Sequence, residues 1–399
     1  MDVKTKDKLW TLKFLMACTA HFLTACAFNV LMPTIPIYLS EELMIPHSKI
    51  GIVLSSYVLA LLFIRPFSGY IVDVFPRKMI YLIGLFCFMA VFSGYLLATT
   101  VGLFVLFRFL HGMFWGITSV SANTIAIDII PSSRRAEGVG YFGVTMNLAM
   151  AIAPFFAIEI YNSMGFEVLI LIATIFGILA FIVAALMKVP KTVPTFHPQK
   201  QALKKPLSLD RFILVAGLPI LGNQLLITFG WGTLAAYAIL YGIEIGIEHS
   251  GFYFVFLAIG IMLSRVVSGK MVDRGHLHKI ILAATLVVSL SFLSFAYFST
   301  SWIFFTCAFT MGLGYGALLP ALQTLYINMA PASRRGTANA TYLTGFDLGI
   351  GLGMLLGARI ADYFSFEVMY YVPAVLTFIG MIIYRLFSMP LYEKRKLKQ

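Results

Sequence analysis

Charge is scarce in this chain. Asp, Glu, Lys and Arg make up 12% of its 399 residues, where a soluble domain carries about a quarter. With 60% hydrophobic residues, 36 of all residues being Phe, and a mean hydropathy of +0.91, the apolar bulk exceeds what one water-soluble core can bury. This excludes a soluble enzyme and a disordered chain. Cysteine is scarce too: Cys18, Cys26, Cys87 and Cys307 lie in apolar stretches, without paired spacing or a CxxC. They read as small buried hydrophobes, neither a disulfide scaffold nor a metal site. HExxH, GxSxG and Walker-type loops are missing, so hydrolysis and nucleotide-driven pumping have no sequence support. No metal or other cofactor is expected. The first apolar run lacks a small-residue cleavage site and reads as a retained helix.

What is present is a series of apolar runs of about 20 residues, the length that crosses a bilayer as a helix. Twelve are read, at 11–39, 49–71, 79–98, 101–127, 137–160, 165–187, 211–240, 250–271, 279–298, 301–327, 336–360 and 366–387. The Lys- and Pro-rich stretch Lys188 to Asp210 separates two sets of six. The expected division is a bundle over 1–187, a cytoplasmic linker over 188–210, and a second bundle with a basic cytoplasmic tail over 211–399. Of the 29 Lys and Arg, only Lys49 and Arg359 fall near outer ends of spans, and Lys13, Arg65, Arg108, Arg265 and Arg385 fall within them. The remainder sit on one side, which places both termini in the cytoplasm. The net charge of +12 is thus a topology signal and a contact for anionic lipid, not a nucleic-acid footprint.

The two sets are copies of one another. At an offset of 200 residues, Arg65-Pro-Phe-Ser-Gly69-Tyr-Ile-Val-Asp73 answers Arg265-Val-Val-Ser-Gly269-Lys-Met-Val-Asp273. Pro131-Ser-Ser-Arg134-Arg135 answers Pro331-Ala-Ser-Arg334-Arg335, and Phe166-Glu167-Val168 answers Phe366-Glu367-Val368. The expected fold is all-α and integral to the membrane, with twelve transmembrane helices in two six-helix repeats around a central cavity. Arg65, Gly69 and Asp73, four apart, share a helix face. Gly69 allows a neighbouring backbone to come close, and Asp73 suits the positive end of another helix. Small residues also recur every fourth position, as Gly345, Gly349, Gly353 and Gly357 in span eleven and Thr145, Ala149, Ala153 and Ala157 in span five. Such stripes favour close packing in lipid.

The segment Gly69-Tyr-Ile-Val-Asp73-Val-Phe-Pro-Arg77-Lys78 resembles the G-x-L-x-D-R-x-G-R-K signature of the major facilitator superfamily, with Val74 and Pro76 departing from it. The second copy keeps Gly269, Asp273 and Arg274 but has Leu277 where Arg77 would recur. Arg108-Phe-Leu-His111-Gly112 resembles the family's R-x-x-q-G, with His111 for the amide. Pro33-Thr-Ile-Pro36 and Ala153-Pro154-Phe-Phe-Ala157 are similar to parts of the drug:proton antiporter signatures. The resemblance covers the whole chain. It implies a cytoplasmic latch of Gly69, Asp73, Arg77, Lys78, Asp128, Gly269, Asp273 and Arg274. Asn328 stands where Asp128 would recur, so the second latch is expected to be the weaker.

Acids locate possible proton coupling. Of 17 Asp and Glu, only Glu159 and Asp347 fall within spans, with Asp128 at an inner edge. Burying such charge is costly, which marks these groups, with Arg108, as coupling candidates. Asn29, Tyr57, His111, Trp115, Asn147, Gln224, Trp231, Tyr237 and Gln323 supply an aromatic and amide wall suited to an amphipathic molecule. The resulting expectation is a secondary active transporter of a small organic molecule in the bacterial inner membrane, working as a monomer by proton-coupled efflux. The alternatives are export of a sugar, metabolite or metallophore, or uptake by proton symport.

Overall fold

The computed structural model describes residues 8–44, 47–189 and 211–396. The expected linker therefore falls, from residue 190 onward, outside the described residues. Lipid offers the backbone no hydrogen bonds, so each apolar run must satisfy its own amides as helix. In chain order the helices are α1 Leu12–Glu41, α2 His47–Val74, α3 Arg77–Leu97 and α4 Val101–Ile129. Arg135–Leu186 follows and is broken at Gly165, whose φ of 85° only glycine adopts freely; its two parts, 135–164 and 166–186, are α5 and α6. The second set is α7 Leu218–Glu244, α8 Tyr253–Met271, α9 Leu277–Tyr297, α10 Ser301–Asn328, α11 Arg335–Tyr363 and α12 Phe366–Ile383, with a short α13 at Met389–Arg395. Ten helical stretches of the described residues are long and apolar enough to span a membrane; one of them, Ser250–Tyr297, contains both α8 and α9.

Helix starts follow local chemistry. The Thr11, Thr100 and Ser365 hydroxyls accept from Phe14 N, Leu103 N and Val368 N, capping α1, α4 and α12. Two sequence boundaries move. The seventh span begins at Leu218 rather than 211: a 3₁₀ turn at Val215–Gly217 precedes it, and the Leu214 amide donates to Thr341 Oγ1. The basic tail folds in part as α13, joined to α12 by a π-helical turn at Tyr384–Ser388.

The chain forms two compact units. The first comprises residues 1–132, 142–213 and 333–340, and the second 133–141, 214–332 and 341–399. Each unit thus includes the first turns of a helix that continues in the other, α11 for the first and α5 for the second. Within the first, α2 lies along α4 and α3 along α4; within the second, α8 lies along α10, α9 along α10 and α12, and α7 along α12.

The repeat is visible in atomic contacts. A Cβ on Gly112 would lie 2.4 Å from the Tyr57 carbonyl oxygen, and one on Gly312 would lie 2.2 Å from that of Leu257. Gly116 and Gly316 likewise make room for the Ile64 and Ser264 side chains. All four pairs are 200 residues apart, so one packing solution serves both helix pairs. In α11, Gly345, Gly349, Gly353 and Gly357 all abut α7 residues, at Gln224, Thr228, Phe229 and Thr233. In the first unit, Ala149 packs with Ala25 and Cys26 of α1. The core of the first unit is aromatic around Phe28, Phe88 and Trp115, whereas Phe63, Phe86, Leu171 and Leu186 are exposed, as lipid-facing positions should be.

These contacts set an expectation for stability. Gly312→Ala places a methyl against a backbone oxygen that cannot move without separating α8 from α10, and should destabilise by about 1–3 kcal/mol. Gly351→Ala, with nothing within 4 Å, should be neutral or slightly stabilising through helix propensity. Melting temperatures of the purified variants in detergent check the difference.

Candidate functional site

The first site lies where α2 ends and α3 begins. Gly69 lets this end of α2 meet the start of α11: a Cβ there would sit 2.6 Å from Ala340 Cβ and 2.9 Å from Thr337 Cα. One turn later, Asp73 reaches the same helix start. Its Oδ1 accepts from Gly336 N at 2.7 Å, and its Oδ2 accepts from Thr337 N and Thr337 Oγ1, both at 2.7 Å. The carboxylate therefore caps α11 from a position 263 residues earlier in the chain, satisfying two orphan amides and meeting the positive end of the dipole. Arg77 donates to Asp73 at 3.4 Å and pairs with Asp128, whose other oxygen accepts from Arg335 Nη1 at 2.9 Å. Asp128 is only 2% exposed. Lys78 instead donates to the Ala185 carbonyl at the end of α6, at 2.6 Å.

The second unit repeats half of this. Asp273 accepts from Ala136 N at 2.8 Å and Glu137 N at 2.9 Å, capping α5. Gly269 again allows the approach, its missing Cβ facing Glu137 Cα at 2.6 Å. Gly275, with φ of 91°, and Leu277 follow where the first copy has Phe75 and Arg77. Arg274 is exposed and does not join the network. Asn328, expected to leave this copy weak, is not idle: its Oδ1 accepts from Arg135 Nη1 at 3.3 Å and its Nδ2 donates to the Tyr392 hydroxyl at 3.1 Å. Tyr392 belongs to α13, whose Glu393 pairs with His278 Nε2 at 2.9 Å. Nearby, Glu137 holds Arg134 through Nε and Nη2 at 2.7 and 2.8 Å, which raises the guanidinium pKa above its usual value. Sequence reasoning missed Arg335, Thr337, Arg135 and Tyr392. The duplicated Ser-Arg-Arg after spans four and ten was the available signal for the two arginines.

The second site lies inside the first unit. Arg108 and His111, one turn apart on α4, are 1% and 0% exposed. The Arg108 guanidinium carbon lies 4.9 Å from the centre of the Tyr57 ring, and Nη2 approaches Met32 Sδ at 3.6 Å. His111 Nδ1 lies 2.9 Å from the Tyr95 hydroxyl. Phe28 stacks on Trp115 at 4.7 Å and on Tyr57 at 5.3 Å. Arg65 and Arg265, also buried, have polar partners in Ser119 Oγ and the Gly140 carbonyl. Among the described residues Arg108 Nε and Nη1, His111 Nε2 and also Arg265 Nε have no partner.

The other sequence candidates are dispersed. Asn29 turns to its own helix, donating to the Ala25 carbonyl, and Asn147 is half-buried on α5. In the second unit, both ends of the Gln224 amide are engaged, Nε2 with the Tyr342 carbonyl and Oε1 with the Tyr326 hydroxyl. Trp231 packs edge-on against Tyr315, Tyr237 donates to the Met354 carbonyl, and Gln323 is buried. Asp347 is half-buried on α11 and faces Tyr342 electrostatically. Glu159 is exposed on α5.

The chain resembles known membrane proteins along nearly its full length. It is 24% identical over 387 residues to multidrug resistance protein MdtG of Escherichia fergusonii, covering 94% of this chain and 93% of the relative. It is 25% identical over 393 residues to the staphylopine export protein of Staphylococcus aureus, covering 94% and 95%. The crystal structure of the human organic anion transporter MFSD10 superposes with a TM-score of 0.77 at 14% identity, over 93% of this chain and 98% of that one. The Escherichia coli fucose:proton symporter FucP gives 0.74 at 16%, over 98% and 100%. The sequence matches the Major Facilitator Superfamily over residues 17–297 and 267–399. With twelve long helices among the described residues, in two copies each hooked by an aspartate at a glycine-spaced helix end, this multi-pass membrane protein belongs to the Major Facilitator Superfamily.

Proposed function

We propose that the chain exports a small amphipathic organic molecule from a bacterial cytoplasm, in exchange for protons, by alternating access through the inner membrane. Both termini then face the cytoplasm, the aspartate-capped helix ends lie on that side, and a monomer suffices. The observation that carries this reading is the pair of mirrored caps, Asp73 on α11 and Asp273 on α5. A carboxylate on the end of a helix forms a strong, geometrically defined contact that can be made or broken whole. That is what a two-state transporter requires. The MdtG relative supports efflux. The staphylopine exporter, matched at comparable identity, supports a second reading in which the cargo is a metallophore. Among membrane-embedded acids, Asp347 is the proposed proton carrier, with Glu159 the alternative and Arg108 a modulating cation.

Asp73→Asn retains one acceptor oxygen but loses the charge behind three bonds. It should slow transport and shift the conformational balance while leaving substrate affinity within severalfold. In a background lacking the four native cysteines, Ala340→Cys, fully buried opposite Gly69, should become reactive to a membrane-impermeant maleimide in the Asp73→Asn variant. Normal transport with an unreactive Cys would remove the latch from the mechanism.

Asp347→Asn keeps the side-chain shape but cannot titrate. It should abolish pH-gradient-driven accumulation in proteoliposomes while preserving equal-pH exchange. Full gradient-driven transport by this variant would move coupling to Glu159 or to a mechanism without protons.

A further inference from the structure

We propose that Arg108 is the anchor for a carboxylate carried by the transported molecule, which makes the preferred cargo an aromatic or amphipathic anion or zwitterion rather than a lipophilic cation. The inference deepens the transport reading above and rests on it only for the word transported; binding is testable without it.

The argument begins with an unbalanced charge. Arg108 lies seven residues into α4 and is 1% exposed, yet among the described residues it forms no ion pair, and its Nε and Nη1 have no hydrogen-bond partner. What surrounds it compensates only part of that charge: the Tyr57 ring face, a thioether at 3.6 Å and the Tyr95 hydroxyl, none of them an anion. A guanidinium keeps its charge at any accessible pH, so burial cannot neutralise it. The other two buried arginines of the repeat, Arg65 and Arg265, have polar partners in this same structure. Among the described residues Arg265 and Arg135 each leave Nε unpartnered as well; Arg108 differs in leaving two guanidinium nitrogens unmet, with the unpartnered His111 Nε2 one turn away.

The neighbouring groups specify the missing partner. The Tyr95 hydroxyl contacts His111 Nδ1 and also interacts with Arg108, through its charge and a side-chain hydrogen bond. A tyrosine oxygen that faces a donor-only guanidinium directs its hydrogen to the imidazole. His111 Nε2 then carries its own hydrogen, and that atom too is buried and unpartnered. Arg108 Nε, Arg108 Nη1 and His111 Nε2 are all donors, on side chains three residues apart on one helix face. They call for an acceptor with two oxygens and a negative charge, which a carboxylate supplies in the bidentate geometry that arginine favours. Phe28, Tyr57 and Trp115 stack into an aromatic wall beside it, suited to the apolar body of the same molecule. Met32 is 42% exposed and flexible enough to yield its place beside Nη2 to an incoming oxygen.

The test has two arms on the full-length protein in detergent. In the first, wild-type and Arg108→Met are melted without ligand. A guanidinium awaiting an outside anion is a liability when empty, so Arg108→Met should raise Tm; a structural hub would instead lower it. In the second, binding and proteoliposome counterflow are measured for indole-3-acetate, 2-naphthoate and cinnamate, each beside its primary amide and its matching amine. At least one carboxylate should bind about tenfold more tightly than its amide, a difference of about 1.4 kcal/mol. Arg108→Met should erase that preference, and Arg108→Lys, which keeps the charge but not the fork, should retain part of it. A lowered Tm in Arg108→Met, or equal binding of acid and amide across all three sets, overturns the proposal. Arg108-dependent binding of a carboxylate with no counterflow of any compound would leave the anchor standing and sink the transport reading instead. Counterflow of amines as fast as of acids would do the reverse.

Discussion

The interaction on which the rest depends is the bond set between the Asp73 carboxylate and the first amides of α11. A helix end at the edge of a bilayer carries unsatisfied N–H groups and a partial positive charge. Covering it with a carboxylate from α2 satisfies both and requires that no side chain stand between them. Hence Gly69, one turn earlier, whose place a methyl would fill to within 2.6 Å of Ala340 Cβ. Hence also Arg77 and Arg335, which balance the buried charge of Asp128 behind it. Glycine spacing, acid and arginines form one device, and removing any member leaves another unsatisfied.

The duplicated sequence builds this device twice but completes it differently. Asp273 caps α5 as Asp73 caps α11, and Gly112 and Gly312 let their helix pairs touch through carbonyls 200 residues apart. The copies diverge behind the cap. With Leu277 for Arg77 and Asn328 for Asp128, the second copy holds no buried ion pair at that place. A neutral arrangement replaces it, in which Asn328 joins Arg135 to Tyr392 of α13. The terminal helix thereby takes the part that α3 plays in the first copy, and His278 with Glu393 holds it there. The chemistry behind the two caps is thus unequal.

Buried charge is distributed with similar economy. Arg65 and Arg265 occupy equivalent repeat positions and spend a donor on a hydroxyl or a carbonyl, which a protein interior rewards because the alternative is an unmet group. Arg108 is set among rings, a sulfur and the Tyr95 hydroxyl, where dispersion, the Tyr57 quadrupole and a neutral acceptor offset only part of the desolvation cost. A membrane protein retains such a cost where function requires it, and Phe28, stacked on Tyr57 and Trp115, forms an apolar wall in the same unit.

Hydropathy and the offset of 200 residues were enough to determine an all-helical membrane chain of two six-helix copies, because lipid leaves the backbone no other choice and because a duplicated core repeats its spacing. That Asp73 would suit a helix N-terminus was legible as a possibility, from its place one turn beyond Gly69 at a helix end. Which N-terminus it meets was not, for that partner lies 263 residues away and no local period encodes it. The same limit applied to the amides: Gln224 read as a free pocket group, but the packing of α7 with α10 and α11 engages both of its ends, and Asn29 folds back on its own helix. Conversely, the R-x-x-q-G resemblance singled out Arg108 but did not show which of its donors would be met. Only tertiary packing decided that Arg108 would keep two guanidinium nitrogens without a partner among the described residues, because hydrogen-bond satisfaction depends on which atoms neighbouring helices bring within about 3 Å, and the sequence of one helix does not contain that information.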